Sequence, residues 1–340
     1  MDDRQSAHFL FAEAMGYTCS AALRAVAALG VADHLDRPRT AAELAEATGS
    51  RTDALHRTLR LLATRGVFHE DGAGRFHLTA KGSALRADSP FPARAGILMF
   101  TDTMFWTLTH QLPVSARQPD PSFERLFGEP LAEYFARNAD TEALFYDGME
   151  QVSDAENPLV AERIRFPASG TVADIGGRHG GLLSVVLQRN PGLHGVLFDN
   201  EERALDAHRL DADTLAGRWK TVHGDFFQEV PGADIYLLKR IIHNWDDEQC
   251  VRILRNCRRA MTPGGRVVVI DAIIPPGNDP HQSKAMDLMM LSALTGRERT
   301  EAELATLFEA SGLRLVQVVP TDSVMSVAEG VMTDGIEGNG

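Results

Sequence analysis

Several residue types are scarce in this 340-residue chain, and each scarcity excludes a class of protein. The three cysteines, Cys19, Cys250 and Cys257, show no CxxC or CxxH spacing, and an odd number is a poor basis for a disulfide framework. Cys250 and Cys257 lie in one predicted helix, where we expect them to be buried as small hydrophobic residues. The sequence therefore predicts neither a disulfide scaffold nor a metal site.

Basic residues are also in deficit, with 34 Lys and Arg against 47 Asp and Glu, which gives a net charge of −13. Nucleic-acid affinity comes mainly from basic side chains that displace counterions, so this balance argues against a nucleic-acid partner. No apolar run approaches the roughly 20 residues that span a bilayer. The start, MDDRQSAHFL, lacks the basic region and apolar core of a secretion signal, and we expect a cytoplasmic protein with no membrane partner.

The residues that are present, 44% hydrophobic and 24% charged, are typical of a globular protein, and the chain length suggests more than one domain. The pattern of the sequence changes near residue 171. We expect an N-terminal dimerisation domain (1–92), a helical linker with substrate-lining helices (93–170), a catalytic domain (171–332) and a flexible tail (333–340).

The N-terminal pattern indicates a winged helix. Residues 8–35 carry apolar side chains almost all the way round their predicted helices, so these helices need cover that a partner subunit could supply. Thr40 and Glu43 predict a helix cap, a second helix ends at Gly66, and two short strands follow. The domain could bind DNA through its arginine-rich second helix or serve dimerisation, and the acidic balance favours dimerisation.

Aromatic and methionine side chains are concentrated in the helical region from Pro92 to Ser153. They could line the site of a flat, apolar substrate or belong to the hydrophobic core. The candidates are Met99, Trp106, Phe145 and Met149.

From Thr171 onward, Val- and Ile-rich strands alternate with amphipathic helices. This predicts the α/β class, with a mostly parallel, doubly wound Rossmann-like sheet that binds ligands at the carboxyl ends of its strands. The first strand ends in DIGGRHGG, where Asp174 precedes a turn that contains Gly176 and Gly177. The glycine register does not fit the GxGxxG of a diphosphate-binding loop.

Later strand ends carry further polar candidates. Asp199 could accept two ribose hydroxyls, while Asp225 and Phe226 could bind an adenine amine and cover its ring.

The string KRIIHNWDD follows the fourth strand. Its His243 could be a hydrogen-bonded core residue or, with Asp271 at the end of the next strand, a general base. Asn244 or Asp246 is expected to cap the following helix.

Five strings, DIGGRHGG, HGDFF, KRIIHNWDD, MTPGGRVVVIDAIIP and DLMMLSALTGRERTEAEL, together resemble a known family in order and spacing. The chain resembles the S-adenosylmethionine-dependent small-molecule O-methyltransferases, among them plant caffeate and flavonoid enzymes and actinobacterial enzymes that tailor aromatic natural products. The likeness covers nearly the whole chain. It implies a homodimer formed through the N-terminal helices and an aromatic small molecule as the substrate.

The resemblance also implies roles for individual residues. His243 would be the general base, with Asp271 and Glu298 orienting its imidazole, and no metal would be required. Asn244, Asp287 and Met290 are candidates for the substrate site. The cofactor S-adenosylmethionine, which leaves as S-adenosylhomocysteine, would contact Asp174, Gly176, Gly177, Arg178, Asp199, Asp225, Phe226 and Lys239.

Two positions depart from the family pattern. Arg178 stands where the family usually has a third glycine, and Asn200-Glu201 replaces a common Leu-Pro. The Arg178 side chain could point to solvent, pair with the cofactor carboxylate or weaken cofactor binding. Three alternatives stay open: methylation of a phenol or aminophenol ring carbon, a methyltransferase fold with hydroxylation or rearrangement chemistry, and a cofactor-sensing DNA-binding regulator.

Overall fold

The computed structural model describes residues 2–118, 121–200 and 207–333 and forms two compact units. The first unit contains Met1–Trp106 and Phe135–Val152, and the second contains Thr107–Tyr134 and Ser153–Gly340. The helical region predicted at 93–170 is therefore divided between the two units. The predicted tail lies outside the described residues from position 334 onward.

Helices and short strands make up the N-terminal half of the chain. In chain order they are α1 (Asp3–Ala14), α2 (Tyr17–Ala28), β1 (Arg39–Thr40), α3 (Ala41–Thr48), α4 (Thr52–Ala63), β2 (Phe68–Glu70), β3 (Arg75–Leu78), α5 (Arg94–Phe100), α6 (Thr103–His110), α7 (Leu112–Ser115), α8 (Ser122–Phe127), α9 (Leu131–Arg137) and α10 (Ala139–Ala161).

Strands and helices alternate in the C-terminal half. In chain order they are β4 (Gly170–Ile175), α11 (Gly181–Arg189), β5 (Leu193–Asp199), β6 (Trp219–His223), β7 (Ala233–Lys239), α12 (Asp247–Ala260), β8 (Met261–Asp271), α13 (Gln282–Ala293), α14 (Glu301–Ala310), β9 (Leu313–Pro320) and β10 (Ser326–Met332).

The predicted winged helix is present in the first unit. Helices α3 and α4 lie between β1 and β2 in the chain, and the three strands form an antiparallel sheet in the order β1-β3-β2. The predicted cap forms in both directions, because the Thr40 hydroxyl accepts the Glu43 N–H at 3.3 Å and the Thr40 N–H donates to the Glu43 carboxylate at 2.8 Å. The apolar face of α4 is buried through Leu55, Leu59 and Leu62.

The N-terminal helix α1 buries none of its residues. Large apolar side chains on α1 and at the start of α2 are exposed, among them Phe9, Leu10, Phe11, Met15 and Tyr17. This agrees with the prediction that residues 8–35 carry more apolar surface than the chain itself covers.

A seven-stranded sheet in the order β6-β5-β4-β7-β8-β10-β9 organises the second unit. The first five strands in that order are parallel, and β10 runs antiparallel to both neighbours. Two buried apolar clusters cover the two faces of the sheet, which explains the continuous Val, Ile and Leu runs. The carboxyl ends of β4, β5, β7 and β8 therefore lie along one edge, with the order reversing between β4 and β7.

Some boundaries differ from the predicted ones. Helix α10 continues through Pro158 to Ala161 instead of starting again at that proline. Strand β8 begins at Met261, which pairs with Ala233, and ends at Asp271. The predicted helix EERALDAHRL lies outside the described residues at 201–206, and His208–Leu210 forms a short 3-10 turn. Cys250 and Cys257 are buried in α12, as predicted.

Within these described ranges, none of the helices combines the length and the apolar character needed to cross a membrane. The same ranges contain no group of three or more His, Cys, Asp or Glu side chains that could hold a metal ion.

Candidate active site

His243 lies on a short 3-10 turn, Ile242–Asn244, between the end of β7 and the start of α12. The residue is buried, and its Nδ1 is 2.9 Å from Oε1 of Glu298, whose side chain is fully buried. A carboxylate accepts the Nδ1 proton, which leaves the lone pair of Nε2 for proton transfer. The structure thus brings together two residues that are 55 positions apart.

Asp271 ends β8 and borders the same small cavity as His243, with Ile273 and Leu304. Its Oδ1 is buried and has no hydrogen-bond partner. Burial raises the pKa of Asp271 to about 7, although the positive charge of His243 acts in the other direction. Asp271 therefore acts on the imidazole through its charge, while Glu298 holds the ring by a hydrogen bond.

The pKa of His243 reflects opposing influences. Burial lowers this pKa, but the carboxylates of Asp271 and Glu298 outweigh burial and raise it above its ordinary value. The imidazolium that forms after proton uptake is thereby stabilised.

Asp287, a predicted substrate residue on α13, supports Glu298 directly. Its Oδ1 accepts the backbone N–H of Glu298 at 3.0 Å, and burial raises the pKa of the Asp287 carboxyl. The structure therefore connects Asp287 to the His243–Glu298 pair, a connection that sequence reasoning missed.

Asn244 and Asp246 were both candidates for the cap of α12. Asp246 is the cap, because its Oδ1 accepts the Gln249 N–H at 2.8 Å. The Asn244 side-chain amide instead donates to the Arg240 carbonyl at 2.8 Å, within the turn that carries His243.

The glycine turn after β4 surrounds a buried carboxyl. Asp174 is 2% exposed and its Oδ2 has no hydrogen-bond partner. Burial raises the pKa of Asp174 to about 7. A Cβ at Gly177 would lie 2.6 Å from Asp174 Oδ2, and a Cβ at Gly176 would lie 2.5 Å from Ile241 Cδ1, so this turn admits only glycine at both positions without rearrangement.

Arg178 adopts the left-handed conformation that glycine favours, with φ of 50°. Its N–H donates to Asp199 Oδ2 at 3.1 Å, and the Asn200 N–H donates to Asp199 Oδ1 at 2.8 Å. Asp199, buried at the end of β5, therefore holds the glycine turn in place. Each carboxylate oxygen has a second lone pair for a ligand.

Asp225 and Phe226 follow β6. Asp225 is exposed and accepts the Phe227 N–H at 2.8 Å, so it caps its own turn. Phe226 is half-buried, with its ring centroid 6.1 Å from that of Trp245, and its Cε1 would lie 4.0 Å from a Cβ at Gly176. The Phe226 ring is thus beside the glycine turn, and its contact with adenine stays a prediction.

Lys239, at the end of β7, is buried in a polar network that sequence reasoning missed. Its Nζ donates to Ser153 Oγ and to Asn157 Oδ1, both at 2.7 Å, and lies 3.2 Å from Glu156 Oε2. Burial lowers the pKa of Lys239 to about 8, against the influence of Glu156. Four of the five residues at 153–157 (SDAEN) are polar, and this concentration was the available signal.

The apolar substrate candidates are distributed over both units. Met99 is buried and Trp106 is 36% exposed. The Phe145 ring centroid lies 5.0 Å from that of Phe135, and Met149 is half-buried. These four belong to the first unit, whereas Asn244, Asp287 and Met290 belong to the second. Their contact with a substrate stays a prediction.

Family models match most of the chain. The O-methyltransferase domain matches residues 108–314, and the O-methyltransferase dimerisation domain matches residues 12–88. The chain belongs to the S-adenosylmethionine-dependent O-methyltransferase family. The match to the dimerisation domain supports a homodimer and favours dimerisation over DNA binding as the role of the winged helix.

Individual relatives agree with the family assignment. A crystal structure of CalO1, a methyltransferase in calicheamicin biosynthesis with bound S-adenosylhomocysteine, has 61% identity and a TM-score of 0.94, covering 98% of this chain and 100% of that one. The phenazine O-methyltransferase PhzM of Lysobacter antibioticus is 36% identical, covering 92% of this chain and 93% of the relative. A 2,7-dihydroxy-5-methyl-1-naphthoate 7-O-methyltransferase of Streptomyces carzinostaticus is 37% identical, covering 91% and 93%.

These findings confirm the predicted fold class, enzyme class and cofactor. The protein is an S-adenosylmethionine-dependent O-methyltransferase with a Rossmann-like catalytic sheet, and its relatives serve natural-product biosynthesis.

Proposed function

We propose that the protein methylates a hydroxyl of an aromatic small molecule in bacterial secondary metabolism, with His243 as the general base. The observation that carries this proposal is the buried contact of 2.9 Å between His243 Nδ1 and Glu298 Oε1. The activities of two relatives, a phenazine O-methyltransferase and a naphthoate O-methyltransferase, support an aromatic acceptor.

The chemistry needs alignment and the removal of one proton. Bound S-adenosylmethionine supplies a methyl group that its sulfonium activates for transfer. Nε2 of His243 would take the proton of the acceptor hydroxyl, so that the oxygen can receive the methyl group while the cofactor leaves as S-adenosylhomocysteine. Glu298 and Asp271 stabilise the resulting imidazolium by hydrogen bond and by charge, respectively.

The glycine turn fits the methionine end of the cofactor. The buried Asp174 Oδ2 lacks a hydrogen-bond partner, and an ammonium group would supply one. The remaining lone pairs of Asp199 suit ribose hydroxyls, and the half-buried Phe226 ring suits an adenine face. Lys239 would act indirectly, by fixing the end of β7 against Asn157.

Replacement of His243 by Asn tests the proposal. With 2,7-dihydroxy-5-methyl-1-naphthoate as the first acceptor of a phenolic panel, the wild-type protein should form S-adenosylhomocysteine in step with the methylated product. His243→Asn should lower kcat by roughly 10²-fold or more, because a general base contributes 10²–10⁴-fold. Mass spectrometry of the products measures methyl transfer, and calorimetry measures the binding of S-adenosylhomocysteine.

His194→Asn is the matched control, since His194 is exposed at the start of β5. It should retain the wild-type kcat, and both variants should bind S-adenosylhomocysteine normally. Undiminished methylation by His243→Asn would refute the role of the base, and methylation on a ring carbon would identify the open alternative instead.

A further inference from the structure

Arg299 is an almost fully buried cation, 4% exposed, next to the active-site pair. Its Nη1 donates to the Ile242 carbonyl at 3.0 Å and its Nη2 donates to the Trp245 carbonyl at 2.9 Å. Ile242 and Trp245 lie on either side of His243 and Asn244 in the chain. One guanidinium group therefore spans the turn that carries the imidazole.

The same two carbonyls have a second donor. The Cys250 thiol lies 3.2 Å from the Ile242 oxygen and 3.4 Å from the Trp245 oxygen. Burial raises the pKa of Cys250 to about 12, so the thiol keeps its proton and acts as a weak donor.

Arg299 also joins this turn to the first residue of α12. Its Nε and Nη2 lie 3.1 Å and 2.8 Å from Asp247 Oδ1. The planar, five-donor guanidinium can reach three acceptors at once, whereas a lysine ammonium is a compact charge on a flexible stem. The contacts therefore require the shape of arginine as well as its charge.

Chain connectivity links Arg299 to the partner of the imidazole. Glu298 holds the His243 ring, and the next residue, Arg299, holds the backbone on both sides of that ring. The Arg299 carbonyl accepts the Ile274 N–H at 2.9 Å, which fixes this segment just beyond the end of β8. The segment Glu298–Arg299 thus contacts both the imidazole ring of His243 and the backbone of the turn that carries it.

We propose that Arg299 is a positioning residue that sets the His243 imidazole against Glu298 and so orients Nε2 for proton removal. This inference rests on the proposed role of His243. Arg299 acts through the turn and contacts neither the acceptor nor the cofactor in this proposal. Loss of the guanidinium hydrogen bonds to the Ile242 and Trp245 carbonyls should let the turn shift. A shift of about 1 Å at a reacting group can cost roughly 10²-fold in rate.

The charged groups around His243 make its titration a sensitive readout. Asp271 and Glu298 raise the pKa of the imidazole, and Arg240 lowers it. If the turn shifts, the contact with Glu298 weakens and the midpoint of the His243 titration should fall toward the ordinary value of about 6.5.

The experiment compares Arg299→Met and Arg299→Lys with Arg255→Met. Arg255 is exposed on α12 and its Nη2 donates to the Ala310 carbonyl at 2.8 Å, so the control loses an arginine–carbonyl bond of the same kind. NMR follows the His243 ring in protein bound to S-adenosylhomocysteine, and kcat and KM are measured with the member of the phenolic panel that the wild-type protein methylates.

Arg299→Lys keeps the positive charge but loses the planar guanidinium, so it should lower the His243 midpoint. Both Arg299 variants should reduce kcat roughly 10- to 100-fold, with S-adenosylhomocysteine affinity unchanged and with Arg255→Met like wild type. A reduced melting temperature with an unaltered midpoint and kcat would overturn the proposal, because Arg299 would then be purely structural. If Arg299→Met fails to fold, two milder variants give the same decision. Arg299→Lys keeps the positive charge, and Asp247→Asn keeps Arg299 but removes the charge of its carboxylate partner.

The ring titration needs no methyl transfer. It therefore tests Arg299 even if His243→Asn proves that His243 is not the base, and the two failures are distinguishable.

Discussion

The imidazole of His243 is surrounded by groups whose effects on its pKa oppose one another. Burial and Arg240 favour the neutral ring, whereas Asp271 and Glu298 favour the charged ring and prevail. A general base works only after it has lost its proton, so methyl transfer should increase with pH through a midpoint above the ordinary histidine value of about 6.5.

Glu298→Gln should change both the midpoint and the height of this pH profile. Removal of the anion lowers the pKa of His243, so the acid limb should move to lower pH. The glutamine amide can donate to Nδ1 and favour the tautomer that carries its proton on Nε2, which should reduce the maximal kcat roughly 10²-fold or more. The measurement is kcat against pH.

Glu309→Gln, an exposed change on α14, is the control and should leave the profile unaltered. An acid limb that stays in place in Glu298→Gln would show that Glu298 does not set the pKa of His243.

Sequence reasoning found the groups of this site that recognisable motifs contain and missed those that act through the backbone. His243 and Glu298 stand in motif strings that the family shares, and they meet in the structure. Arg299 stands in the same string as Glu298, but the acceptors that flank His243 are main-chain carbonyls, which leave no pattern in the side-chain sequence. Asp287 was predicted as a substrate-site residue, and its carboxylate in addition accepts the backbone N–H of Glu298, a contact that was not predicted.

Among the elements, the segment Gly296–Arg299 packs against the His243 turn at backbone distance. A Cβ at Gly296 would lie 2.0 Å from the His243 carbonyl oxygen and 2.4 Å from the Asn244 carbonyl carbon. Backbone atoms cannot rotate away as a flexible side chain can. Glycine is required here for space.

Gly296→Ala should therefore destabilise the fold by about 1–3 kcal/mol, the usual cost of overpacking, and should lower kcat because the turn is displaced. Urea unfolding and steady-state kinetics measure these effects. Gly72→Ala is the control, because a Cβ at Gly72 meets no atom within 4 Å. Equal stability of the two variants would contradict the close packing.

Strands were predicted more accurately than helix ends. The buried runs that became β4, β5 and β7 are continuous in Val, Ile and Leu because helices cover both sheet faces. Pro158 suggested a new helix start, since proline lacks an N–H donor. In the structure it lies in the last turn of α10, near the helix end at Ala161.

At the scale of the whole molecule, the buried carboxyl of Asp174 makes stability depend on pH. Its pKa is about 7 when folded and about 3.9 when unfolded, so the native state binds more protons between these values. Stability contributed by this group is therefore present at low pH and is lost as pH rises toward 7.

Asp174→Asn removes this dependence. In the cofactor-free protein the stability advantage of the variant over wild type should grow by about 1–3 kcal/mol between pH 5 and pH 8, because wild type must bury a charge as the pH rises. Urea unfolding at several pH values measures the difference, with exposed Asp279→Asn as the control. A stability difference that does not grow with pH would contradict the assigned pKa.

The division into two units was not readable from the sequence. A change in pattern near residue 171 marks the start of the catalytic sheet, and β4 begins at Gly170. The helical pattern continues from Pro92 to Ser153, yet residues 107–134 and 135–152 belong to different units. Which unit a helix joins depends on packing between residues distant in the chain.

The discontinuous first unit also constrains the order in which a nascent chain can fold. The backbone N–H groups of Ala95 and Gly96 donate to the Gln151 side chain at 2.7 Å and 3.2 Å. The ribosome must therefore complete residues 135–152 before α5 gains these contacts, although the winged helix has already been synthesised. The His243–Glu298 pair waits longer still, so the dimerisation half of the enzyme can form before its catalytic centre exists.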